Sequence, residues 1–278
     1  HGLVAWYMKM KEFGNKVVII LPYVDKEERK PLPLKDLTLP PSIFEKISRR
    51  SKVVFPQKFL KSHYNTLLGK NAEKYTYRAI KLVELVNATA RAVASSSSQQ
   101  HYIYSYWSKY DDLCHYYGKE SSKAKKHLSE IDTALQKLAE KIKGTNTLLL
   151  VTADHGHTSI SRKNTIIFEK YPKFQSYLTA SKCGEARAVM LYVHPEKRKE
   201  FEQFVRKHWK KQCVLIPSSE LIKKKYFGLF APHPSLKERV GDYVLLAKEG
   251  YAFHEHKISK KHPFIPGNID APGWVQIE

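Results

Sequence analysis

Ser121–Gly156 reads SSKAKKHLSEIDTALQKLAEKIKGTNTLLLVTADHG, and the expected fold follows from it. Leu128, Ile131, Leu135, Leu138 and Ile142 recur at steps of three and four, the spacing of one helical face. Ser121 or Ser122 offers a cap and Gly144 a stop. Thr147–Thr152 follows as a continuous apolar run, expected to be a central strand buried on both faces. With His101–Trp107 as the preceding strand, the order strand, helix, strand predicts a right-handed crossover. Short apolar runs alternate with helix-period segments elsewhere, so the expected class is α/β, a mostly parallel sheet flanked by helices.

Outward from this unit, His1–Phe13 reads as an amphipathic helix ending at Gly14, followed by strand Lys16–Leu21. Pro31, Pro33, Pro40 and Pro41 make an irregular loop, and Val53–Phe55 a short strand. Thr76–Ala94 reads as a helix with Ile80, Val83, Val86 and Val93 on one face, and Ser95–Gln100 as a polar connection. Asn87–Thr89 has the pattern of a glycosylation sequon, but inside a helix it reads as chance. Beyond residue 184 the expected order is strand Arg187–Val193, basic helix Glu196–Lys211, strand Cys213–Pro217 and short helix Ser219–Lys225. Asp242–Ala247 is then a strand returning to the main sheet. The expected organisation is an α/β core over 1–184, a small α+β insert over 185–235 and a return to the core over 236–278.

At 278 residues the chain is long enough to bury a substantial core, and 42% hydrophobic content excludes disorder as the dominant state. Its longest apolar runs, Val17–Leu21 and Thr147–Val151, are strand-sized, so no membrane span is expected. Three cysteines, Cys114, Cys183 and Cys213, argue against a disulfide scaffold, read as packed thiols, and fit a reducing compartment such as the cytoplasm. Lys and Arg outnumber Asp and Glu by 48 to 27, a net +21 that attracts polyanions and anionic lipid surfaces. The basic residues are dispersed, at Arg49-Arg50, Lys123–Lys126, Lys197–Lys199, Lys223–Lys225 and Lys260-Lys261, and read as a solvated surface rather than a groove.

Two segments carry chemistry. The predicted strand at 147–152 runs into Ala153-Asp154-His155-Gly156-His157, and His101–Trp107 runs into Ser108–His115. Ligands bind beyond the carboxyl ends of parallel strands, and the crossover is expected to put both ends on one edge. Each segment offers a carboxylate and an imidazole, a donor pair that suits Zn²⁺ or Mn²⁺ better than the all-oxygen shells of Mg²⁺ and Ca²⁺. Asp111 and His115 are four apart and share one face of a helical turn. Asp154 and His155 are adjacent, and Gly156 is expected to turn the backbone away from the site. His157 reads as a loop residue. The candidate metal ligands are therefore Asp111, His115, Asp154 and His155.

Tyr-Trp followed by Asp111-x-x-x-His115-x-x-Gly118, a helix, an apolar strand and Thr152-Ala153-Asp154-His155-Gly156 resembles the alkaline phosphatase superfamily. His1-Gly2-Leu3-x-x-Trp6, Gly241-Asp242-Tyr243-Val244 and Glu249–Phe253 point to its type I phosphodiesterase/nucleotide pyrophosphatase branch. The resemblance implies a phosphoester hydrolase with two divalent cations, usually zinc, acting on a small phosphodiester or nucleotide. Asp111 and His115 match ligands of one ion, Asp154 and His155 of the other. It also implies an upstream aspartate and a Thr or Ser nucleophile, with no match here, and a late histidine before a glycine. His254, His256 and His262 lie near that place without the glycine. The catalytic nucleophile is thus unassigned, and the chain is expected to be incomplete or inactive as it stands. The competing expectation is a basic nucleic-acid-binding protein or a non-catalytic scaffold.

Overall fold

The computed structural model describes residues 7–11, 14, 16–19, 41–60, 65–66, 69–78, 81–96, 99–254 and 268–273. The chain forms two compact units, Pro33–Ala153 and the combination of His1–Leu32 with Asp154–Glu278. In chain order the described strands are β1 (Tyr7–Met10), β2 (Lys16–Ile19), β3 (Arg50–Pro56), β4 (Ala72–Tyr77), β5 (His101–Ser105), β6 (Gly156–Ser161), β7 (Thr165–Ile167), β8 (Cys183–Gly184), β9 (Ala188–Leu191), β10 (Cys213–Pro217), β11 (Tyr243–Ala247), β12 (Ala252–His254) and β13 (Asn268–Gly273). The α-helices are α1 (Ile43–Lys46), α2 (Gln57–Leu60), α3 (Leu82–Ala94), α4 (Lys109–Tyr117), α5 (Ser122–Ile142), α6 (Pro172–Gln175), α7 (Arg198–Trp209), α8 (Ser218–Lys223) and α9 (Leu236–Val240).

In the Pro33–Ala153 unit, β3 lies between β4 and β5 and runs parallel to both. Ser51–Val54 are buried at consecutive positions, the mark of a parallel strand covered on both faces. Helix α3 connects β4 to β5. Its Ala88 and Ala92, one turn apart, pack with Val54 and Tyr77. Its Val86 and Val93 meet Ala134, Leu138 and Ile142 of α5. Helix α5 starts where its cap is expected, with Ser121 Oγ accepting from the Ala124 amide at 3.2 Å. Lys52 is buried in β3, and its Nζ donates to Ala92 O at 2.9 Å and to the hydroxyls of Ser95 and Ser96 at 2.7 Å each. A cation thus closes the C-terminal end of α3, with all three protons used. Burial lowers the Lys52 pKa from the usual lysine range.

The other unit is built on an antiparallel sheet in the order β10-β11-β9-β8. Phe201, Val205 and Trp209 of α7 form a core with Leu191, Leu245, Phe168, Phe174 and Phe253. Their spacing of four is one helical stripe. A second cluster joins Met190 and Val244 of the sheet to Leu221 of α8 and to Leu236 and Val240 of α9. Strand β1 pairs antiparallel with β2, β12 runs parallel to β7, and β13 pairs antiparallel with β6.

Several expectations are corrected. Tyr7–Met10 is a strand, not part of a helix; Met8 and Met10 are both buried, a period of two, and Gly14 at φ +68° turns the chain back. Residues 1–6, 12 and 13 lie outside the described residues. The helix expected from Thr76 begins at Leu82, because Thr76 and Tyr77 end β4, a polar edge strand with little apolar signal. Val83 is 60% exposed, so it is not on the buried face. Leu128 of α5 is also exposed, and Ala124 and His127 occupy that stripe. Thr147–Thr152 forms no strand: Leu148, Leu150 and Val151 are 80%, 77% and 67% exposed. An apolar run becomes a strand only when a neighbour supplies the hydrogen-bonding ladder, and no strand among the described residues pairs with this one. The crossover predicted from it is therefore not completed. Strand β11 returns not to the parallel sheet but between β10 and β9.

Candidate metal centre

The first candidate pair sits on α4, directly after β5 in the Pro33–Ala153 unit. The β5–α4 junction is held by Trp107, which stacks on Tyr77 at 6.1 Å and on His127 at 5.8 Å between ring centroids. Its indole Nε1–H donates to His127 Nε2 at 3.0 Å. That leaves the proton of His127 on Nδ1, which donates to Glu130 Oε2 at 2.8 Å. Tyr77 Oη donates to the Tyr106 carbonyl at 2.8 Å. Burial pushes the Tyr77 phenol up, so it remains a donor. Cys114, one turn after Asp111 on α4, is fully buried. Gly118, at φ +83°, ends the helix with its amide bonded to the Cys114 carbonyl at 2.9 Å.

So held, α4 brings Asp111 and His115 together as the spacing predicts. His115 Nε2 lies 3.2 Å from Asp111 Oδ1, and both side chains are about one-third to two-fifths exposed. A carboxylate oxygen and an imidazole nitrogen on one face of a helical turn can close on one cation with little rearrangement.

The second pair belongs to the other unit and stands at the start of β6, ahead of a strand rather than at the end of one. His155 Nε2 is 3.9 Å from Asp154 Oδ2, and Asp154 Oδ1 accepts from the His155 amide at 3.2 Å. His155 Nδ1 lies 3.0 Å from the Gly156 carbonyl. A carbonyl can only accept, so Nδ1 carries the proton and Nε2 presents the lone pair a cation needs. The His157 ring packs edge-on against His155 with centroids 5.3 Å apart, steadying it. Gly156 is the first residue of β6; its φ lies outside the left-handed region, and a Cβ there would meet open space. The donors of each pair fit a borderline cation such as zinc.

The late histidines divide. His256 and His262 lie outside the described residues. His254 ends β12, where burial first and the nearby Lys182 second hold its imidazole down to about 4. The three cysteines are buried and form no disulfide, and burial pushes the Cys213 thiol up to about 12.

Gly241-Asp242 has a structural task. Gly241 sits at φ +78°, and a Cβ there would come within 2.6 Å of the Leu191 carbonyl oxygen. The following Asp242 accepts from the Val193 amide at 2.9 Å and from Arg198 Nη2 at 2.6 Å, tying β9, α7 and β11.

The sequence pattern of the family described as type I phosphodiesterase / nucleotide pyrophosphatase matches residues 13–268. Comparison with curated proteins returns no match. Among solved structures, murine ectonucleotide pyrophosphatase / phosphodiesterase 5 superposes with a TM-score of 0.66 at 18% identity, over 99% of this chain and 68% of that one. The human protein of the same description gives 0.64 at 16% identity, over 99% and 68%. Phosphonoacetate hydrolase from Sinorhizobium meliloti 1021 gives 0.61 at 14% identity, over 98% and 73%. These likenesses agree on an α/β fold with a parallel sheet flanked by helices. The chain belongs to the type I phosphodiesterase/nucleotide pyrophosphatase family, a family of phosphoester hydrolases.

Proposed function

We propose that this chain is a metal-dependent phosphodiesterase or nucleotide pyrophosphatase whose Asp111 and His115 hold one divalent cation and whose Asp154 and His155 hold a second, both zinc. The observation that carries the reading is the 3.2 Å approach of His115 Nε2 to Asp111 Oδ1 on a helix that Trp107 and Cys114 hold in place. Bound divalent cations supply Lewis acidity toward phosphoryl oxygens and lower the pKa of a coordinated oxygen nucleophile. The chain's own residues do the rest. Asp111 and Asp154 bring negative charge that offsets the cations, and His155 is oriented by its Nδ1–H to Gly156 O. A nucleotide-type substrate is supported by the murine neighbour, which is also described as an inactive form in complex with AMP.

Two protein donors per ion are fewer than the three or four of a complete zinc centre. We therefore also propose that the 278-residue chain binds zinc weakly and turns over little or no phosphodiester by itself. Zinc titration followed by calorimetry tests the site. Wild-type protein is expected to bind close to two equivalents, and Asp111→Ala and Asp154→Ala one each. Binding unchanged in both variants overturns the ligand assignment. Robust zinc-dependent hydrolysis of a nitrophenyl phosphodiester by the wild-type chain overturns the proposed incompleteness and leaves the ligand assignment standing.

A further inference from the structure

The segment joining α8 to α9 has a composition that the phosphohydrolase reading does not use. Lys223-Lys224-Lys225 is followed directly by Tyr226-Phe227-Gly228-Leu229-Phe230-Ala231-Pro232. Leu229 is 75% and Phe230 83% exposed, and Tyr226 is half exposed. Adjacent large apolar side chains in water at a loop tip call for an explanation by what they meet. The tip is held outward by its backbone. Lys225 adopts φ +62° while the Tyr226 amide bonds to Leu221 O at 3.1 Å, and Gly228 follows at φ +141° with its amide on Lys225 O at 3.1 Å. On the far side His233 receives the amides of Leu236 at 2.9 Å and Ser235 at 3.1 Å. Behind the tip, Ile222, Phe227 and Leu236 join Leu229 and Phe230 around a hollow of about 340 Å³.

Charge completes the pattern. Lys224 is neutralised by Glu220 at 2.7 Å, which raises its pKa. Among the described residues no carboxylate pairs with Lys223 or Lys225, which also border the hollow. An apolar tip with a tyrosine behind it and cations at its shoulders matches the layering of a bilayer surface, from acyl boundary through headgroups to phosphate. A second copy of this chain would set the same lysines against one another. We propose that the Tyr226–Pro232 loop docks this unit on an anionic lipid bilayer, with Leu229 and Phe230 entering the acyl boundary and Lys223 and Lys225 meeting lipid phosphates.

The test uses the full chain with large unilamellar vesicles of phosphatidylcholine containing about 30% phosphatidylserine, with and without bromine on the acyl chains. A Phe230→Trp variant is expected to emit further to the blue on vesicle addition than wild type does, and to be quenched by the brominated chains. L229S/F230S is expected to lower vesicle affinity about tenfold or more, and K223Q/K225Q about thirtyfold. Thermal unfolding of each variant should match wild type, because the altered side chains are exposed. Vesicle binding that is equal in wild type and L229S/F230S, with the new tryptophan unquenched, overturns the proposal in favour of diffuse adhesion by the +21 chain. Sedimentation showing a dimer that L229S/F230S abolishes, without vesicle binding, overturns it in favour of self-association.

Discussion

Asp242→Ala removes the carboxylate that joins three elements of the antiparallel unit, and its cost can be worked from the distances. Asp242 Oδ2 is the acceptor for the amide of Val193, which is 2% exposed. Without the carboxylate that buried N–H loses its acceptor, a penalty of about 1–3 kcal/mol. The bond to Arg198 Nη2 is short, at 2.6 Å, but Arg198 is 49% exposed. Solvent screening leaves that pair about 0–1 kcal/mol. The total is about 1–4 kcal/mol, or a fall in melting temperature of about 3–12 °C for a unit of this size. Differential scanning calorimetry of Asp242→Ala and Arg198→Ala reads both parts. Asp242→Ala should melt well below wild type, and Arg198→Ala within about 3 °C of it. Melting of Asp242→Ala within about 2 °C of wild type refutes this account. So does greater damage from Arg198→Ala, since the buried amide would then not carry most of the cost.

Three further outcomes are expected. Leu150→Ser should change unfolding free energy in urea by less than about 0.5 kcal/mol, because Leu150 is 77% exposed; a loss of about 3 kcal/mol would show a buried central strand after all. His254 has a folded pKa of about 4, below the ordinary 6.5. The unfolded chain therefore binds the proton first as pH falls, so stability is full above 6.5 and declines toward pH 4. His254→Gln should flatten that decline in acid titrations of stability, and an unchanged slope counts against it. Trp107→Phe removes the donor to His127 Nε2 and should cost about 1–2 kcal/mol, with weaker zinc binding through Asp111 and His115; unchanged zinc affinity would show that Trp107 does not position α4.

Local chemistry and global pairing separate cleanly along this chain. Helix α5 was readable from its period and its Ser121 cap because a 21-residue amphipathic pattern has one regular solution. The Asp111–His115 pair was readable for the same reason: four residues in a helical turn put two side chains on one face whatever surrounds them. The family followed from short motifs whose residues stand in order. Strand identity was not readable in the same way, because a strand is defined by its neighbour. Thr147–Thr152 has the apolar content of a buried strand and lacks a ladder among the described residues, whereas polar β4 has little apolar content and is paired throughout by β3. Met8 and Met10 alternate as a strand does, but the ladder that makes Tyr7–Met10 one comes from β2. The task of Gly241-Asp242 likewise emerged only once Leu191, Val193 and Arg198 were gathered around it from distant parts of the chain. Side-chain spacing on one helix is a property of the residues in a row; a hydrogen-bonded ladder and a buried acceptor belong to segments that only folding brings together.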